Sequence, residues 1–250
     1  MFTTIAYSKG KDCDDVFTSL DAVPDQHIKT QTIYITVPAL NNIVGSYALI
    51  GAAGAEVRLV SPSLRRLNPL YINPAEVVSV PSADPLMMYH PANPIPLDVN
   101  EQLEGQVNAT ALDTVQKCIA VWLSDGMITP VTGEIFTVNA HVNVALVLDT
   151  WEFSEITFPD SLPVADYQVV GARFVAADLN VFRFVPVGEA HRPGGVGAGA
   201  INSKDPWSQR FGRMGVWFSF NTVQPPGIEC LGGAAAIADD YELYMDLIKI

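Results

Sequence analysis

Cationic side chains are scarce: the 250 residues hold 14 Lys and Arg against 27 Asp and Glu, for a formal net charge of −13. With a pI near 4.5, the chain is not expected to track phosphates, so direct nucleic-acid binding is disfavoured. Cysteine is as sparse. Cys13, Cys118 and Cys230 lie far apart without a C-x-x-C pair, which fits neither a disulfide framework nor a zinc site and predicts reduced core thiols. The four histidines, His27, His90, His141 and His191, form no H-x-H or H-x-x-x-H pair, so no metal or other cofactor is expected. His141, in NAHVNVALV, alternates with apolar residues and reads as a strand residue at a sheet end. No run approaches the roughly 18 apolar residues of a membrane span, and MFTTIAYSKGKDCDD lacks a cationic segment leading into an apolar core. The expectation is a protein made and kept in a cytoplasm, where the sequon Asn108-Ala-Thr110 has no meaning.

Catalytic signatures are missing too. Gly45-Ser46 lacks the second glycine of G-x-S-x-G, and spacing proposes no Ser-His-Asp set. In YALIGAAGAEVRLV, from Tyr47 to Val60, only Gly51 and Gly54 are present where a dinucleotide fingerprint needs G-x-G-x-x-G before a helix. The following EVRLV predicts a second strand instead. Asp98, Glu101 and Glu104 fall at helical spacing and predict a solvated helix face rather than a paired acid and base. Asp12, Asp14 and Asp15 lack calcium-loop spacing and read as an acidic arm. RPGGVGAGAINSKDPW, from Arg192 to Trp207, has no G-K-[ST] and predicts a mobile loop between strands. Trp207 and Phe211 would anchor it to a neighbour or pin it to its own sheet. No enzymatic role is expected.

What the chain does have is apolar content of 49%, only 16% charge and a mean hydropathy of +0.22. Eighteen prolines and 18 glycines punctuate runs rich in Val, Ile, Thr, Tyr and Phe, which predicts short strands and turns. The class is all-β.

The chain also repeats itself. Ile35-Thr36-Val37-Pro38 recurs as Ile156-Thr157-Phe158-Pro159, Tyr47 to Ala52 as Tyr167 to Ala172, and Arg58-Leu59-Val60 as Arg183-Phe184-Val185. Val121-Trp122-Leu123-Ser124 then matches Val216-Trp217-Phe218-Ser219, with Pro130 meeting Pro225 and Leu148 meeting Leu243. All blocks keep their order, which predicts two similar β-rich units. The division is residues 1–30 as an N-terminal arm, 31–150 as a first unit with a long inserted loop over 62–120, and 151–250 as a second unit. In each, two facing antiparallel sheets make a jelly-roll sandwich of about eight strands. The matched pairs Trp122 and Trp217, Pro38 and Pro159, and Gly51 and Gly171 are expected to be structural.

Two tandem sandwich-like units, an arm, long Pro/Gly loops and an acidic surface together resemble the double jelly-roll major capsid proteins of tailless icosahedral viruses and phages, across residues 31–250. The resemblance implies a structural protein of the virion, assembled in a host cytoplasm as pseudo-hexagonal homotrimers that tile an icosahedral shell. It implies contacts with neighbouring trimers, with other capsid proteins such as a vertex protein, and with an internal membrane, the arm reaching under neighbours. Two domains per chain let three chains fill a hexagonal outline. The rival readings are a duplicated cupin-like metalloenzyme, which needs histidines clustered inside a barrel, and a carbohydrate- or ligand-binding β-sandwich. An acidic duplicated sliding clamp also matches in size, but the basic helices that would face DNA are missing.

Overall fold

The computed structural model describes residues 1–10, 16–50, 56–66, 71–73, 76–77, 87–108, 116–159, 162–198 and 207–250. The protein is all-β, 54% strand, and the described residues contain no α-helix. Among them, twenty strands form three sheets. In the first half these are β1 (Phe2–Gly10), β2 (Thr18–Ser19), β3 (Thr30–Gln31), β4 (Tyr34–Thr36), β5 (Asn42–Ile50), β6 (Glu56–Val60), β7 (Ile72–Asn73), β8 (Glu76–Val77), β9 (Met87–Tyr89), β10 (Ile95–Pro96), β11 (Gln102–Asn108) and β12 (Gln116–Ser124). The second half contributes β13 (Phe136–Val144), β14 (Glu152–Thr157), β15 (Asp166–Val175), β16 (Leu179–Val185), β17 (Gly194–Val196), β18 (Phe218–Asn221), β19 (Gly227–Gly232) and β20 (Asp239–Lys249).

The central sheet runs β1-β12-β5-β10, with β8 and β9 also on β5. An outer sheet runs β3-β4-β11-β6-β7, with β2 on β11. The second half is one sheet in the order β17-β16-β19-β14-β13-β20-β15-β18, curled into a half-barrel. Its β17 end swings back to β15, where Ala198 N donates to Phe174 O (2.8 Å) and Ala176 N to Ala198 O (3.0 Å). Ordered by position, the halves pair alike: β1-β12-β5-β10 answers to β13-β20-β15-β18, and β4-β11-β6-β7 to β14-β19-β16-β17.

The central sheet is buried on both faces, and strand alternation shows how. Ile5, Tyr7, Ile119, Val121 and Leu123 point to the outer sheet, where they meet Val57, Leu59, Leu103 and Val107. Phe2, Ala6, Cys118, Ala120 and Trp122 point the other way, into the core shared with the second half. Every residue from Phe2 to Ser8 and from Lys117 to Ser124 is therefore buried.

Several expectations need correction. The supposed N-terminal arm begins with β1, which pairs with β12 from Phe2↔Ser124 to Gly10↔Gln116. Its later residues Leu20, Val23 and Ile28 are buried as well. The supposed inserted loop over 62–120 contains β11 and most of β12, both central to their sheets. Asp98, Glu101 and Glu104 make no helix: Glu104 lies in β11, and Glu101 accepts from the Ser63 N–H and hydroxyl, both at 3.0 Å. The units do not divide at 150, because β13 pairs along its whole length with β20, which puts the crossing between Ser124 and Phe136. The second strand expected in EVRLV is present as β6, but it lies in a different sheet from β5.

Candidate functional site

The joint between the halves concentrates the buried charge. Arg183, in the apolar run VFRFV of β16, is 2% exposed. Its Nε donates to Glu229 on β19 (2.6 Å), its Nη1 donates to Asp25 and to the Thr4 carbonyl of β1 (3.2 Å), and its guanidinium stacks on Trp151 at 4.1 Å. One side chain thus holds two residues of its own half and two of the first. A buried cation is tolerated only when paired in this way. Burial alone would raise the Asp25 carboxyl. The Arg183 charge, together with N–H groups from His27 and Ile28, outweighs burial and holds it below the usual carboxylate range.

Backbone bonds extend the joint. Thr4 N donates to Arg192 O (2.8 Å), Arg192 N to Thr3 Oγ1 (3.0 Å), and the Trp122 indole N–H to Gly194 O (2.8 Å). The Arg192 guanidinium also donates to the His27 ring. Beside it lies an open groove of about 770 Å³ lined by Phe153, Glu155, Val187 and Pro225, together with His27 and Arg192.

A second buried pair fastens the segment after β17. Arg210 donates to both oxygens of Asp246 on β20 (2.7 and 2.8 Å), which also accepts from Phe211 N (3.0 Å) and Thr137 Oγ1 (2.7 Å). The segment lies so close to β15 that a Cβ on Gly171 would meet Asp246 Oδ2 at 2.6 Å and Gln209 O and Phe211 N at 2.9 Å. This close approach requires glycine at Gly171. Phe211 takes a positive φ of 53°, rare for a bulky residue, and is 43% exposed.

Of the residues singled out from sequence, Trp122 and Trp217 are both buried, but not equivalently. Trp122 sits mid-sheet in β12, whereas Trp217 precedes the edge strand β18 and packs edge-on to Phe2 at 5.5 Å. Their match is overturned. By pairing order β12 answers to β20, and the similarity to β18 is that of apolar strands in general. Pro38 and Pro159 each follow β4 or β14, strands at corresponding places in the pairing order. Trp207 opens the 3₁₀ turn Trp207–Gln209; Gly51, Cys13 and residues 199–206 lie outside the described residues. Burial pushes the Cys118 thiol up to about 12 and raises Cys230 as well. His90 meets the Tyr71 hydroxyl (3.0 Å), His141 meets Asp240 (2.8 Å) and His191 donates to Trp217 O (3.2 Å). Among the described residues no three His, Cys, Asp or Glu side chains group as a metal site.

Sequence reasoning missed Arg183, Asp25, Glu229, Arg210 and Asp246. The signal was there: Arg in VFRFV and Asp in YMDLI each interrupt an apolar strand. What the site offers is neutralised charge and interlocked backbone, the chemistry of a docking joint. No protein-family model, curated protein or solved structure matches the chain.

Proposed function

We propose that this chain is a shell-forming structural protein, a double jelly-roll capsid subunit that associates as homotrimers. One observation carries the reading. In an eight-stranded jelly roll, strands pair in the orders 1-8-3-6 and 2-7-4-5. With β1, β4, β5, β6, β7, β10, β11 and β12 taken as the eight strands, the first half has both orders, and β13 to β20 have them again. A chain with two such units clamped side by side supplies the two quasi-equivalent blocks that a hexagonal tile needs from each of three copies.

The test is the solution mass of the purified chain by light scattering, with negative-stain images and metal analysis of the same fractions. The expected result is three times 27.0 kDa, with plates or shells at higher concentration. A monomer at all concentrations would sink the reading, and stoichiometric metal in that monomer would favour the cupin-like alternative.

A further inference from the structure

Arg58 and Arg183 hold corresponding places, and their surroundings match until one difference. Arg183 on β16 pairs across strands with Glu229 of β19 and stacks on Trp151, which precedes β14. Arg58 on β6 pairs across strands with Gln106 of β11, bonding it through Nε at 2.8 Å, and stacks at 3.6 Å on Phe17, which precedes β2, itself paired with β11. The terminal nitrogen of Arg183 then reaches into the other half, to Thr4 O on β1 and to Asp25. For Arg58 the described residues provide no such partner. It stays half-buried on the outward face of the β4-β11-β6 sheet, beside Tyr34, Glu104 and Gln106.

The face that would complete it is also present. Within the chain, the even-numbered residues of β1, from Phe2 to Ser8, cover the Arg183 side. The strand in the place of β1 is β13, whose Thr137, Asn139, His141 and Asn143 stand opposite Asp246, Tyr244, Glu242 and Asp240 of β20. Thr137, Asn139 and Asn143 are exposed.

We propose that the outward β4-β11-β6 face of one copy docks on the outward β13-β20 face of a second copy, repeating between chains the contact that β1-β12 makes with β16-β19 inside each chain. The inference rests on the assembly reading and names its interface. The contact is heterologous, head to tail, so each subunit offers a different face to each neighbour, as a closed ring requires. The chemistry of the faces fits their histories. The internal contact is never exposed and is built from Phe2, Ala6, Ala120 and Trp122. Faces that meet water before assembly must be polar, as these are, and the Glu242 and Asp240 carboxylates of one face complement Arg58 of the other.

Four full-length proteins test this by light scattering across a concentration series: wild type, Arg58→Glu, Asn139→Arg and the double variant that carries both substitutions. Both substitutions are at sites outside the core, and equal urea midpoints would establish intact folds. Each single variant is expected to raise the concentration of half-assembly by at least about tenfold, because like charges or a lost pair at a docked face weaken association by more than a kcal/mol. The double variant sets the introduced carboxylate of one copy against the introduced guanidinium of the next at every contact of the ring, and is expected to regain assembly. Wild type assembling while both variants assemble equally well would overturn this interface and leave the assembly reading standing. Single variants that weaken assembly without rescue in the double variant would overturn the pairing of these two faces. A monomeric wild type would overturn both.

Discussion

At the scale of single residues, two buried arginines fasten distant parts of the chain. Arg183 and Arg210 are each nearly inaccessible and each paired with carboxylates from a distant strand. Removing one partner of such a pair leaves the other charge buried, which costs far more than a surface bridge. Asp25 gives this a pH signature. Its folded pKa is depressed, so its stabilising contribution is present above the ordinary aspartate range and is lost as pH falls through the lowered folded value. Asp25→Asn is expected to cost about 3 kcal/mol at pH 7, and to lose less additional stability than wild type between pH 5 and pH 2, read by urea unfolding at each pH. A parallel acid limb in both proteins would remove Asp25 from this role. Gly171 makes the opposite kind of demand, for absence of a side chain. Gly171→Ala would drive a methyl into Asp246 Oδ2 and the Gln209 carbonyl, with an expected loss of about 2 kcal/mol or more, visible as a lower urea midpoint at unchanged slope. A neutral result would mean that the 207–215 segment yields readily. Gly171 was legible in the sequence only as a member of a repeated YxxxGA block; its physical reason lies in a segment some 40 residues away.

At the scale of elements, alternation and turn residues made most strands visible, and context decided what they do. TIYITVPAL and SEITFPDSL were legible as strands closed by proline, and β4 and β14 hold those places. β1 was misread because FTTIAYSKG is a modest strand signal with no counterpart in the repeat search. Its worth comes from β12, whose nine residues pair with it one for one. Deleting residues 2–10 separates the two views. A dispensable arm would leave stability unchanged. As a strand whose residues Phe2 to Ser8 are all buried, its removal is expected to abolish cooperative unfolding and expose the core to a hydrophobic dye. β11 was hidden behind carboxylates at helical spacing, since a strand whose alternate residues face water can show acids at any polar position. The segment from Gln102 to Asn108 alternates exposed or half-buried with buried throughout, and that period of two was the better guide.

At the scale of the whole molecule, the Arg183 joint and the doubly buried central sheet make the two halves one body, and the proposed assembly repeats the joint with a polar version of the same faces. Composition and strand periodicity by themselves determined the all-β class and the net charge of −13. Each of these follows from local residue chemistry summed along the chain. Only the tertiary structure decided which strand pairs with which, where one half ends and the next begins, and which charged residues are buried. The partners in question are far apart in sequence, β1 with β12 and β13 with β20 each by about 100 residues or more. Ladder hydrogen bonds are made by backbone groups common to every residue, so β12, β18 and β20 read alike in sequence. Their different places come from packing on both faces of a sheet at once.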